Sequence, residues 1–251
     1  MTTTRHVYDV ELTPLLGSTF QPTGFPDLGA ATFDRFGAAG DDLPVPSLLV
    51  ESVQSMANRL EATLWDRGTR QPVDLVDGLP YIRVVRAGGS EEFLTSSRLE
   101  AHRIASPYVR EATLDGEKME DVIGQRLGLA KDTPLDYPRM ARAIMHLDPL
   151  CLLHGVFFSQ KAWLGQPKFP RAVSAVIEAH DVRRAVSGGR KSDSVRHQLD
   201  KDESGGGTAE GYGSVPFHRV EWTARKILAS FVVDCELLRS YGLPRPATDL
   251  L

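Results

Sequence analysis

Ser47-Leu-Leu-Val-Glu-Ser-Val-Gln-Ser-Met-Ala-Asn-Arg-Leu-Glu-Ala-Thr-Leu64 is the stretch on which the reading turns. Leu49, Val53, Met56, Leu60 and Leu64 recur at helical spacing, Ser47 stands where an N-cap belongs, and Gly68 stops the run. A helix with one apolar stripe is predicted. At about 100° per residue, Ser52, Ser55 and Arg59 share a flank of that stripe, with Asn58 further round on the exposed side. The helix therefore offers a polar face with one cation.

On the N-terminal side, residues 7–12 alternate as a strand, with Tyr8, Val10 and Leu12 on one face. Residues 14–46 then hold five prolines and five glycines and are expected to be irregular. On the C-terminal side, the pattern predicts a short strand at 81–85, a helix at 138–147 and a buried strand at 150–158. A strand through 171–180, a long strand at 215–233 and a helix at 235–239 follow. There is no fixed-period repeat and no regular βαβ rhythm, so the expected class is α+β with long insertions. Loops longer than about 12–15 residues in a domain are commonly functional.

The chain has 251 residues, 41% of them hydrophobic, enough for a sizeable core. Its 29 Lys and Arg against 33 Asp and Glu leave a net charge of −4, which excludes a protein that grips nucleic acid by bulk positive charge. Cys151 and Cys235 sit inside apolar stretches and read as buried thiols of a reducing compartment. The first six residues lack the apolar core of a signal peptide, and no apolar run approaches the ~20 residues of a membrane helix. A cytoplasmic chain without a membrane partner is expected.

Enzyme patterns are missing. There is no H-E-x-x-H, no zinc-spaced Cys pair and no G-x-S-x-G, and the seven histidines are scattered. His154, in an apolar segment, reads as a core histidine in preference to a ligand. The glycines from Gly205 to Gly213 could cradle a phosphate or form a flexible linker; they match neither a Walker loop nor G-x-G-x-x-G. Between Asp181 and Lys201 six cations, including Arg190 and Lys191, face three acids. Cations beside glycines let side chains and backbone N–H groups meet one phosphate, and an ordinary solvated loop is the alternative.

Five phrases taken in order carry a resemblance. They are Phe20-Gln-Pro-Thr-Gly-Phe-Pro-Asp-Leu-Gly-Ala30, Leu49-Val-Glu-Ser-Val-Gln-Ser-Met-Ala-Asn-Arg-Leu-Glu61, Thr95-Ser-Ser-Arg-Leu-Glu-Ala-His-Arg103, Leu153-His-Gly-Val156 and Gly205-Gly-Gly-Thr-Ala-Glu-Gly-Tyr-Gly-Ser-Val-Pro-Phe-His-Arg219. Together they resemble the Csb-type Cas-seven backbone family of type I-G (formerly I-U) CRISPR effector complexes. Within the wider RAMP superfamily, Ser52-x-Gln54-Ser55-x-x-x-Arg59 resembles the Ser-Gln-Ser helix motif that approaches guide-RNA phosphates.

The resemblance implies a single RRM-like, ferredoxin-type palm over 1–251, with insertions at 87–148 (fingers) and 181–217 (a glycine-rich thumb). It implies copies stacked along a CRISPR RNA that pairs with target DNA. Beside them would stand a large subunit and a Cas-five/Cas-six-like subunit, with a helicase-nuclease recruited separately. Relatives continue past a phrase like Tyr241-Gly-Leu243 into a further helix and strand, so a palm segment beyond Leu251 is an expectation. Such a subunit must hold RNA without reading sequence, which phosphate and sugar contacts allow. The candidate RNA-binding residues are Thr23, Gly24, Ser52, Gln54, Ser55, Asn58, Arg59, Arg98, His102, Arg190, Lys191 and Arg219. No catalytic residue, cofactor or metal is expected. Two alternatives stand beside the scaffold: a metal-dependent ribonuclease using Asp27, Asp34 or Asp41, and a structural oligomer needing no nucleic acid.

Overall fold

Polar side chains mark the first turns of the helices that frame the larger core. Asp136 accepts from the Arg139 N–H at 3.0 Å and starts the helix Tyr137–Leu147, which buries Met140, Ala141, Ile144 and Leu147 at helical spacing. Glu120 and Asp121 occupy the first turn of Met119–Leu127, where the helix dipole favours negative charge, and Gly128 at φ +73° ends it. The computed structural model describes residues 3–25, 27–36, 43–89, 91–191 and 215–251.

Helices and strands interleave as the α+β pattern implied. The largest sheet has five strands in the order Arg5–Leu12, Val215–Asp234, Val173–Lys191, Pro44–Glu51 and Thr32–Phe36. Two compact units are formed. The first comprises Met1–Asp9, Ser52–Val176 and Ser230–Leu251, with a core that includes Ile104, Ile123, Ile144, Leu152, Phe158, Trp163 and Phe169. The second comprises Val10–Glu51 and Ile177–Ala229, with Leu48, Ala179, Val182 and Ile227 at its centre. In this second unit Ile177 lies opposite Glu51 and His180 opposite Ser47, while Thr32 faces Leu48 and Phe36 faces Pro44.

Four sequence expectations change. The helix expected from Ser47 begins at Val53, because Ser47, Leu48 and Leu49 take sheet partners and Leu49 N–H donates to Ala31 O at 2.9 Å. Residues 14–46 are not wholly irregular: Thr32–Phe36 and Pro44–Glu51 pair, with Pro44 and Pro46 ahead of the segment that pairs with Val173–Lys191. The buried strand expected at 150–158 is the helical turn Leu150–His154 followed by Val156–Phe157. Asp148 decides this by accepting from Leu150 N–H at 3.2 Å, and a short apolar run does not by itself separate strand from buried helix. Finally, the strand expected near 171–180 continues to Lys191. The glycines Gly205 to Gly213 lie outside the described residues.

Candidate nucleic-acid interface

The motif helix Val53–Ala62 is capped by Ser52, whose Oγ accepts from Ser55 N–H at 3.2 Å, while Ser55 Oγ donates to Ser52 O at 3.1 Å. Both serines are thus engaged in starting the helix. Met56 and Ala57 turn into the core. Gln54 and Asn58, one turn apart, are exposed and line a groove of about 320 Å³ in the first unit. Arg59 is also exposed. The polar flank predicted from Ser52, Ser55 and Arg59 is therefore divided, and the amides take the open side of the groove.

The opposite walls come from distant segments. His102, Arg103, His154, Phe157, Lys168 and Arg171 line the same groove. Arg103, at φ +54°, donates Nε and Nη2 to Glu61 Oε1 and Oε2 at 2.6 and 2.7 Å, and Nη1 to Gly155 O at 2.8 Å. Burial raises the Glu61 carboxyl above its usual range, with Arg103 opposing the rise. Gly155 holds φ +81° and ψ 154°, and a Cβ there would meet Phe169 O at 2.9 Å. That conformation is essentially restricted to glycine.

His154 is 4% exposed and its Nδ1 has no hydrogen-bond partner among the described residues. Burial, and then the charges of Arg103 and Arg171, push its pKa down to about 4, so the ring is neutral at pH 7. The expectation of a core histidine holds for its burial, yet its Nδ1 is left unsatisfied among the described residues. Phe157, 48% exposed, lies opposite Lys168 in a two-residue antiparallel ladder, with Lys168 Nζ 5.7 Å from the ring centroid. Arg103, Lys168 and Arg171 outnumber Glu61, so this groove is locally positive in a chain of net charge −4.

The remaining candidates scatter. His102 is exposed at the groove, whereas the neighbouring Arg98 has a side chain 2% exposed. Its Nη2 donates to Leu79 O at 3.0 Å, its guanidinium lies 4.9 Å from the Tyr81 ring centroid, and its Nε is 3.9 Å from Asp148 Oδ1. Arg98 therefore serves the interior and offers no surface charge. In the second unit, Thr23 Oγ1 donates to Glu51 Oε2 at 3.1 Å, and Gly24 lines a separate groove with Arg184 and Trp222. Arg219 lies 4.8 Å from the Phe217 ring centroid and 3.7 Å from Glu221, and Arg190 is exposed on a strand that ends at Lys191. Asp27 and Asp34 are exposed and Asp41 lies outside the described residues. Among the described residues no three His, Cys, Asp or Glu side chains are grouped to hold a metal ion.

Sequence reasoning did not single out Phe157, Lys168 or Arg171. The phrase Leu153-His-Gly-Val156 was their one signal, because it places His154 and Gly155 on the groove wall.

Residues 7–184 match the family model described as CRISPR-associated protein GSU0053. The chain belongs to this CRISPR-associated family. No curated protein matched it. All the groove residues fall within the matched span, while Arg190, Lys191 and Arg219 lie beyond it. No helix among the described residues is long and apolar enough to cross a membrane.

Proposed function

We propose that this CRISPR-associated chain is a guide-RNA-binding backbone subunit, of the Csb-type Cas-seven kind found in type I-G complexes. It holds CRISPR RNA without reading sequence, stacks in copies along it, and presents it for pairing with target DNA beside a large subunit and a Cas-five/Cas-six-like subunit. The RRM-like palm and the thumb belong to this reading. The observation that carries it is that Gln54 and Asn58 of the Ser-Gln-Ser helix open onto the same groove as Lys168, Arg171 and Phe157. Cations and amides there suit phosphate and sugar contacts, which position a strand without specifying it.

The test is RNA affinity against salt concentration for two guide-length RNAs of unrelated sequence. Equal affinities are expected, and Lys168→Ala with Arg171→Ala should reduce the log–log salt slope by roughly 1.4, at about 0.7 per lost phosphate contact on a single strand. An unchanged slope, or no RNA binding, would overturn the reading.

A further inference from the structure

Phe157 is an exception to its surroundings. Val156 and Phe158 on either side are 4% and 0% exposed and Phe169 is 1% exposed, yet the Phe157 ring keeps 48% of its surface open. The exposure is built in: the buried pair Val156 and Phe169 anchors a two-residue ladder, and strand alternation turns Phe157 and its partner Lys168 outward. The ring then forms part of the wall of a groove of about 320 Å³, near the lower end of the roughly 300–1,000 Å³ typical of small-ligand sites. That volume suits one nucleotide.

Two further observations point to an occupant. Buried polar atoms nearly always find partners, yet His154 Nδ1 and Arg171 Nε, on two residues of this groove, have none among the described residues. Gln54 and Asn58, on the facing helix, each carry amide donors and an acceptor, which can meet the polar edge of any base.

We infer that Phe157 is a stacking platform for one unstacked base of single-stranded RNA, and that Lys168 holds the phosphate beside it. This rests on the RNA-binding reading above and adds to it a contact with a base. Stacking on an aromatic face tolerates every base, so the contact preserves sequence independence. A base taking the ring face turns the Lys168 ammonium from the ring toward the phosphate.

The experiment measures fluorescence anisotropy of labelled decauridylate, and of a decamer with the same ribose-phosphate chain but abasic sites, on the intact chain. Wild type is expected to bind the uridine decamer about tenfold more tightly than the abasic one, within the range of base stacking. Phe157→Ala and Phe157→Leu should both abolish that preference with unchanged circular dichroism, and Phe157→Tyr should keep it. Lys168→Ala should weaken both decamers alike. If both decamers bind equally to wild type and variants, the stacking platform is wrong and the RNA-binding groove stands. Binding of neither decamer would overturn both. A Phe157→Ala variant that changes only the sedimentation of the chain would make the ring a protein contact and would also overturn the inference.

Discussion

Arg103 clasps Glu61 through two parallel hydrogen bonds, of 2.6 and 2.7 Å, and both side chains are almost wholly buried. The third Arg103 contact, to Gly155 O, ties the motif helix to the turn that carries His154 and Phe157. A planar guanidinium is required, since a lysine has no second parallel donor.

Removing either partner leaves the other charge buried. Glu61→Gln and Arg103→Ala should each destabilise the chain by about 3 kcal/mol or more in urea unfolding. Arg103→Lys should recover less than half of that loss. A cost under about 1 kcal/mol for either first variant would show that the pair does not hold the groove together.

Gly155→Ala forces a Cβ to within 2.9 Å of Phe169 O at a backbone angle of φ +81°. A loss of about 2 kcal/mol is expected, with weaker RNA binding because the groove wall must shift. Thermal unfolding of this variant against Gly165→Ala, also at positive φ but with the Leu135 side chain as its nearest neighbour, compares a collision with backbone with one against a flexible side chain.

Within the motif helix the roles divide. Ser52→Ala should cost about 1 kcal/mol of stability through the lost N-cap. Gln54→Ala with Asn58→Ala, both at exposed positions, should change stability by less than about 0.5 kcal/mol while weakening RNA binding several-fold. Equal RNA affinity in that double variant, measured by anisotropy, would remove the amides from the interface.

Two buried groups oppose each other in pH. Burial, countered in part by Ser97 and Arg98, pushes Asp148 up to about 6, so the folded state holds a proton that the unfolded chain has released above pH 4. Its contribution is present in acid and is lost as pH rises through about 6. His154, pushed down to about 4, acts in the other direction: its contribution is present above the unfolded pKa of 6.5 and is lost as pH falls toward 4. Each is worth on the order of 3 kcal/mol, and Glu61, also raised by burial, adds to the Asp148 direction.

Wild-type stability should therefore vary less between pH 4 and 6 than that of either variant. His154→Asn should lose stability as pH rises across that window, and Asp148→Asn should gain it. Chemical denaturation at several pH values reads the slopes, and matching slopes in both variants would contradict the assignment.

Local chemistry was legible wherever one segment suffices. The helix Tyr137–Leu147 and the strand Val215–Asp234 follow their own periodicity, and the α+β class follows from their alternation. Reading failed where a segment's pattern suits two states. Leu48, Leu49 and Val50 fit an apolar helix as well as a strand, and pairing with Val173–Lys191 and Thr32–Phe36 chose the strand. Arg98 looked like a surface cation until the Asp148 carboxylate and the Tyr81 ring enclosed it.

The sequence by itself determined the Ser-Gln-Ser helix, the mixed class, and a charge balance that requires any anion site to be local. Tertiary structure alone decided where that site lies. Asn58, His102 and Phe157 are separated by dozens of residues and share no periodicity, so only the packing of the first unit, held by Arg103 and Glu61, brings them, with Lys168 paired opposite Phe157, to one groove. Local propensity acts over a few residues, whereas a binding groove is made by chain segments that meet only after the core beneath them has formed.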